Sequence, residues 1–545
     1  MGANEFGLLK GLAYNCHKAL KYAIFLNKMK ITLISTSTFP SDQGIRTISS
    51  MLKKEGYIVN LIFMCLSEDY SKNYAERELI QLKELCRDSQ LIGVNSYAST
   101  AHRAEKLIDY LKNTFPEIPI VYGGIYATVS PEKAIKDCDI ICVGEGEGAI
   151  LDIARAVESK KSLNKIQNLW IRKIDNYNKE GIIKNPVRKL IDSVDSIPFP
   201  DYEINTHYIL ENHKIRKFEE KDLGGGIFFL TGRGCPYGCD YCSNSLFNEL
   251  YNGKRKSILR WHSPEYIING ILFLKNKFPS LSYFDIRDDT FSLRPLEDIK
   301  KFCKLYKQKV NMRFKCLGDP KTISDEKVAL LVDAGCTDII IGIQGCERTN
   351  KEIYHRGQDD NGVLRASDIL TKYKNKLAVM YDIITCNPYE TPEDIINLIK
   401  LLQKLNKPYF LSVNNLVFFP GTKLDIRARA DKVIKNEKDA AYQLNYWDRA
   451  KHIRLKGKNI YLNLILNLMR GSVTEKRFGF MPNSLLNYLL EGKRAEKNLK
   501  NPAPSYFILY FVEIYDLVRE RILKPIYRSL PISFKVWYDK IRYRV

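Results

Sequence analysis

A chain of 545 residues with 45% hydrophobic content has apolar matter for about two to four domains with cores of their own, and no apolar run reaches the roughly 18 residues of a membrane-spanning helix. The 13 cysteines do not read as a disulfide scaffold, because Ala19–Leu26 is broken by Lys21 and carries no small-residue cleavage site that would mark a secretory signal. The formal net charge of +22 admits an anionic membrane, a nucleic acid, a phosphorylated ligand or simply a lysine-rich surface, and does not choose among them.

After an extension over residues 1–28, the pattern predicts strands at Lys30–Ser35, Tyr57–Phe63, Leu91–Val94, Ile118–Tyr122 and Asp139–Val143. Helical periodicity falls between them, for example at Ile45–Glu55 and Ala101–Asn113. Strands alternating with helices predict an α/β, doubly wound, Rossmann-like sheet over 29–158. Ligands of such sheets lie beyond the carboxyl ends of the strands, here the loops Thr36–Arg46, Asn95–Thr100, Gly123–Val129 and Gly144–Gly148.

Three phrases in those loops carry a resemblance: Val121-Tyr-Gly-Gly-Ile-Tyr-Ala-Thr128, Ser130-Pro-Glu132 and Val143-Gly-Glu-Gly-Glu147. In this order they resemble the B12-binding domain that precedes many radical S-adenosylmethionine (SAM) domains. The resemblance implies bound cobalamin, with Ser96, Gly123, Gly124, Gly144 and Glu145 as its expected contacts. The first loop has no histidine where cobalamin mutases place their D-x-H-x-x-G cobalt ligand, so a vestigial, empty domain stays open as an alternative. His102 falls in a predicted helix and reads as a packing or surface residue.

Residues 159–223 are charged and punctuated by proline, and read as a linker; Ile197-Pro-Phe-Pro-Asp-Tyr202 resembles the connector of the same two-domain proteins. From 224 to 430 six strand-plus-helix units are predicted, with strands at Ile227–Leu230, Tyr283–Ile286, Arg313–Cys316, Asp338–Ile343, Ala378–Ile384 and Leu411–Val417. They make a partial barrel with its active face at the carboxyl ends of the strands.

The loop after the first of these strands is Thr231-Gly-Arg-Gly-Cys-Pro-Tyr-Gly-Cys-Asp-Tyr-Cys242. Cys235, Cys239 and Cys242 supply three thiolates, enough for three corners of a 4Fe–4S cluster, and leave one iron open to a substrate or cosubstrate. A structural zinc site would want four ligands, and a disulfide would strand one thiol. The spacing, with an aromatic before the last cysteine, resembles the radical SAM superfamily. There the open iron chelates the amino and carboxylate groups of SAM, and the reduced cluster cleaves SAM to a 5′-deoxyadenosyl radical.

Further stretches extend the resemblance over about residues 29–425. Phe284-Asp-Ile-Arg-Asp-Asp-Thr-Phe291 resembles the F-x-D-D-x-F phrase, which implies that Asp288 or Asp289 accepts from the SAM ammonium. Gly342-Ile-Gln-Gly345 resembles a G-I/V-E/Q-S phrase with Gln344 turned to the cofactor, and Tyr354-His-Arg-Gly357 resembles K-R-G with Arg356 on the SAM carboxylate. Asp382 to Asp394 resembles G-x-P-x-E-T-x-E-D, with Cys386 or Asn387 at the usual glycine. Arg260-Trp-His-Ser-Pro-Glu265 and Phe419-Pro-Gly-Thr-Lys-Leu424 resemble the phrases that follow the cluster and close the barrel.

Residues 431–545 read as helical, aromatic and basic. They are expected either to cap the barrel or, through Tyr506–Val512 and the arginines and lysine that follow, to rest on an anionic bilayer. The family implied is that of B12-binding-domain-containing radical SAM proteins. It implies methyl transfer to an unactivated carbon of a small or lipid-like substrate, with a flavodoxin or ferredoxin as reductant, in the cytoplasm or at a membrane. Cyclisation or rearrangement is the second reading, and a methylthiotransferase-like RNA modifier the third. The helical tail argues against that third reading, whose usual RNA-binding β-barrel it lacks, so nucleic acid is not an expected partner. A cobalamin and iron–sulfur sensor needs no SAM pocket and is disfavoured by Asp288, Asp289 and Gln344.

Overall fold

The computed structural model describes residues 29–66, 72–174, 180–251, 258–440, 442, 444, 457–479, 481–490, 496, 499–501, 514, 518, 522 and 526. Strands β1 (Lys30–Ser35), β2 (Ile58–Phe63), β3 (Leu91–Asn95), β4 (Ile120–Gly123) and β5 (Ile140–Cys142) are parallel, in the order β5-β4-β3-β1-β2. The order reverses between β1 and β3, which makes the crevice above those two strands the place for a ligand. Helix Gln43–Lys54 starts there, capped by Asp42, and buries Ile45, Arg46, Ser49 and Leu52 against the sheet.

The stretch 159–223 is more than a linker. It contributes β6 (Leu169–Ile174) and β7 (Glu180–Lys184) to one edge of this sheet, and β8 (His207–Glu211) and β9 (Lys214–Lys217) to the other. Its short, charged strands hid from a reading based on apolar runs. The approach to β8 is pinned by a buried network: Arg46 donates to the Asp201 carbonyl at 2.7 Å, Ser49 to the Asp201 carboxylate at 2.6 Å, and Lys53 pairs with that carboxylate at 2.7 Å.

The second sheet begins with β10 (Gly226–Phe229); a side ribbon, β11 (Gly232–Arg233) with β12 (Arg260–Trp261), follows it. Strands β13 (Tyr283–Ile286), β14 (Arg313–Gly318), β15 (Cys336–Gln344), β16 (Ala378–Thr385) and β17 (Tyr409–Asn415) then add in chain order, parallel to β10. This is the partial barrel. Burial alternates along β16, as it must when one face packs on helices and the other lines the lumen. Asp285, Lys315 and Asp338 lie level across β13, β14 and β15 on the lumen face.

Beyond residue 430 the expectation of helix alone needs correction. Helices Gly457–Leu468 and Asn483–Leu490 are separated by β18 (Gly471–Val473), β19 (Arg477–Phe478) and β20 (Met481–Pro482), which extend the barrel sheet antiparallel past β17. Strands this short leave no period to read. Tyr506–Val512 and the basic residues after it, on which membrane contact is expected, lie outside the described residues, as do residues 1–28. Among the described residues no helix is long and apolar enough to cross a membrane.

The two domains share a core. One buried cluster takes Ile34, Tyr122 and Tyr126 from the first sheet and its loops, and Tyr354, Cys386, Leu416 and Phe418 from the barrel. Polar ties add to it: Gln43 Nε2 donates to the Phe228 carbonyl at 2.8 Å, and Lys133 pairs with Glu437 at 2.8 Å.

Two buried histidines give the fold a pH dependence. Burial holds the imidazoles of His207 and His262 down at about 4, below the ordinary 6.5. Both are neutral in the folded chain near pH 7 and take up a proton on unfolding below about pH 6.5. Stability present above that pH is therefore lost as the pH falls towards 4. The urea midpoint is expected to drop across this window, and to drop less in His262→Phe, which keeps the ring stacked on Tyr266 but cannot titrate.

Candidate active site

The cysteine loop leaves β10 and is shaped from several sides. Gly234 has φ +86°, and a Cβ there would run into the Ile258 carbonyl, so this turn requires glycine. Asn248 donates to the Cys235 carbonyl at 3.0 Å, Cys242 N to the Cys239 carbonyl at 3.0 Å, and Asp240 N to the Tyr354 carbonyl at 3.0 Å. His355, which stands where the resembling phrase has lysine, meets the Asp240 carboxylate at 2.7 Å.

The loop turns all three thiols into one cavity of about 180 Å³ at the carboxyl ends of the strands. Its walls include Cys235, Cys239, Cys242, Asp289, Gln344 and Arg356. Five lining residues that the motif reading did not single out as ligands are Tyr237, Tyr241, Asn244, Thr290 and Asp382. Tyr241 carried a signal as the aromatic before the last cysteine, and Thr290 and Asp382 fall within quoted phrases. Asp382 lies within β16, three residues before its end, and opens the Asp382–Asp394 phrase.

The thiols fit a cluster better than a single ion. Among the described residues no three His, Cys, Asp or Glu side chains gather round one metal point. Burial pushes the thiols of Cys235 and Cys242 up to about 12 when no iron is bound, so iron is what would hold them as thiolates. Cys239 is raised by burial too, with Arg356 and the Tyr241 hydroxyl opposing.

The two aspartates separate cleanly. Asp289 opens onto the cavity, where burial raises its carboxyl and Asn244 hydrogen-bonds it. Asp288 does not line the cavity. It is 4% exposed and accepts from Thr231 N at 2.6 Å, from the Thr231 hydroxyl and from Gly232 N at 3.1 Å, with Arg294 Nε 4.0 Å away. It anchors the root of the cysteine loop, which corrects the expectation that either aspartate could meet SAM.

Gln344 has φ +67°, a strained conformation at a break in the β15–β16 register. A Cβ on Gly342 would stand 2.6 Å from Gln344 Nε2 and 3.3 Å from Arg356 Nη2, so glycine there leaves room for both. Arg356 spends four of its five donors on protein: Gln358 at 3.1 Å, the Tyr241 hydroxyl at 3.2 Å, Asp319 at 2.7 Å and the Gly342 carbonyl at 3.3 Å. Arg356 also hydrogen-bonds the Cys239 sulfur, so its guanidinium is tied to the cysteine loop itself. Cys386, at the usual glycine, keeps a left-handed φ of +61° and donates its backbone N–H to Asn463 Oδ1 at 2.6 Å. Asn463 comes from the C-terminal helix, and nothing local in the sequence announces it.

A second cavity, about 480 Å³, lies between the domains. On one side stand the loops above the β1/β3 crevice, with Ser37, Asp42, Tyr97 and Thr100; on the other stand Phe228, Leu230, Ser243, Arg287 and Phe419 of the barrel. Ser243 and the cluster cavity's Asn244 are consecutive, so the two cavities adjoin. The crevice suits a polar ligand edge, because Asn95 at the end of β3 keeps a buried carbonyl oxygen without a protein partner.

The five residues expected at cobalamin do not line this cavity. Ser96 is buried against Tyr122, hydroxyl to hydroxyl at 2.6 Å. Gly123 ends β4, and Gly124, φ +92°, would press a Cβ to 2.9 Å from the Ser96 carbonyl. Gly144 packs under the Tyr251 hydroxyl, which accepts from Glu145 N at 2.7 Å. Glu145 meets Arg260 at 2.5 Å and Arg233 at 3.2 Å, while Arg233 also meets Glu147 at 2.5 Å. The glycines serve close loop packing, and Glu145 clamps one domain to the other beside the cysteine loop. Burial alone would raise Glu145, but Arg260 and Arg233 override it and hold the carboxyl below its ordinary range. Glu145→Gln is expected to cost about 2 kcal/mol in urea unfolding, because it leaves two partly buried guanidiniums short of a partner.

Residues 229–402 match the family model of the Radical SAM superfamily, and residues 29–154 that of the B12 binding domain. An uncharacterized methyltransferase of Pyrococcus horikoshii is 26% identical over 341 residues, 62% of this chain and 69% of that one. The bacteriochlorophyllide d C-8(2)-methyltransferase of Chlorobaculum tepidum is 23% identical over 347 residues, 62% of this chain and 68% of that one. The solved structure of the cobalamin-dependent SAM radical enzyme OxsB, with aqua-cobalamin and SAM bound, superposes with a TM-score of 0.61 at 14% identity, covering 95% of this chain and 76% of that one.

A partial barrel with a three-thiol cavity and a matching domain model defines a radical SAM enzyme. Its sheet domain holds the second cofactor site of the molecule. The chain belongs to the B12-binding-domain-containing radical SAM proteins, whose cofactors are a 4Fe–4S cluster, SAM and cobalamin.

Proposed function

We propose that the chain transfers a methyl group from SAM to an unactivated carbon of a small molecule, with Cys235, Cys239 and Cys242 holding the cluster. When bound, the cluster supplies the electron that cleaves SAM to a carbon radical, and cobalamin supplies a methyl carrier. The observation that carries the reading is the adjoining of the two cavities at Ser243 and Asn244. A substrate on the barrel side of the larger cavity would lie next to both cofactors.

The chain's own residues have the following parts. Asp289 accepts from the SAM ammonium, Arg356 and the Gln344 amide meet its carboxylate and ribose, and Asp288 keeps the loop in place. The loops at Ser37–Gly44 and Tyr97–Thr100 receive the corrin face, and the shared apolar core excludes water between the sites. A flavodoxin or ferredoxin is the expected reductant.

The test is anaerobic. The chain is reconstituted with iron, sulfide and hydroxocobalamin and given SAM and dithionite. Retained cobalamin with both 5′-deoxyadenosine and S-adenosylhomocysteine supports the reading. Deoxyadenosine alone would move it to cyclisation or rearrangement, and neither product would end it.

A further inference from the structure

The larger cavity is apolar on most sides, with Phe39, Ile125, Phe228, Leu230 and Phe419 among its walls. Its lining holds one carboxylate and one cation among the described residues. The carboxylate, Asp42, is spent: it accepts from the Ser35 hydroxyl at 2.8 Å, from Asn95 Nδ2 at 2.9 Å and from Ile45 N at 3.4 Å as a helix cap. The cation is Arg287, on the barrel side.

Arg287 is held by one end. Its Nε donates to Asp285 Oδ2 at 2.8 Å, and Asp285, fully buried, is shared with Lys315 at 2.9 Å. Its guanidinium carbon lies 5.2 Å from the centre of the Phe228 ring. The side chain remains 39% exposed, and the two terminal nitrogens have no hydrogen-bond partner among the described residues. A guanidinium fixed at Nε, with both terminal nitrogens free in an apolar cavity, is a fork set for a planar oxyanion. Of the neighbouring carboxylates, Asp285 takes Arg287 Nε and Lys315 on Oδ2 while its Oδ1 stays buried, and Asp382, which feels the Arg287 charge, hydrogen-bonds Ser412.

We infer that Arg287 recognises the substrate, and that the substrate is an apolar molecule carrying a carboxylate. The inference rests on the proposed function, because it places that carboxylate on the barrel side of the cavity, between the two cofactor sites. It narrows the expectation of a small or lipid-like substrate to an acid with an apolar body. An amide on the corrin rim is the other group that could claim the same fork.

The test uses the fully reconstituted holoenzyme with SAM and hydroxocobalamin. Equilibrium dialysis compares 1-naphthoate with its neutral isostere 1-naphthamide. The acid is expected to bind about tenfold more tightly. Arg287→Gln should abolish that preference without weakening the amide, and Arg287→Lys, which keeps the charge but loses the fork, should fall between. Because Asp285 keeps Lys315 in every variant, the strand is not left with an unpaired charge. Equal uptake of the two probes, whether both bind or neither does, overturns the assignment. So does an Arg287→Gln enzyme that loses hydroxocobalamin while its preference for the acid survives, since the fork then belongs to the corrin. Deoxyadenosine and S-adenosylhomocysteine formation is scored separately in the wild type, so failure of this inference is distinct from failure of the methyl-transfer reading.

Discussion

Cys239→Ala is expected to leave a folded chain that cannot keep its iron. The thiol is 4% exposed and lines the cluster cavity with Cys235 and Cys242. Two thiols cannot grip three corners of a four-iron cube, so iron and sulfide content after reconstitution should fall to background and deoxyadenosine formation with it. Loss of one small buried sulfur should cost only about 1 kcal/mol of folding stability. The two readouts therefore part company: metal content collapses while the urea midpoint moves little. Full iron retention in this variant would show that the cavity is not the cluster site.

The adjacent aspartates should give opposite phenotypes from the same chemical change. Asp288→Asn removes a buried charge on which three donors converge and leaves the buried Arg294 facing a neutral amide. A destabilisation of about 3 kcal/mol is expected, read as a lower urea midpoint. Asp289→Asn should keep the midpoint and instead raise the KM for SAM, because Asp289 opens onto the cavity and supports no backbone. If Asp289→Asn unfolds the chain and Asp288→Asn only weakens SAM, the assignment of the pair is reversed.

That pair also shows what the sequence could reveal. The Asp-Asp phrase located a carboxylate at the mouth of the barrel, but neighbours on a chain leaving a strand point apart, and only the fold shows which one faces the cavity. The cysteine loop was legible because its ligands are close in sequence. So were the parallel strands, whose apolar runs and alternating helices carry their own period. The loops above the β1/β3 crevice were legible as loops. Among the expected cobalamin contacts, Gly124 and Gly144 have a packing reason, against Ser96 and Tyr251, that sequence spacing does not distinguish from ligand approach. Strands β6 to β9 and β18 to β20 escaped for want of apolar length, and Asn463 because its partner Cys386 is remote in the chain.

The cluster of buried side chains that runs through both domains has a consequence for how the protein moves. A hinge needs an interface that parts at little cost, and opening this one would bring Tyr122, Tyr354 and Phe418 into water. Large domain swings are therefore disfavoured during turnover. The distance between the β1/β3 crevice and the three thiols is then set by the fold, not by closure on a substrate. Reactants and spent SAM must come and go through side-chain and loop rearrangements around a rigid pair of reaction centres.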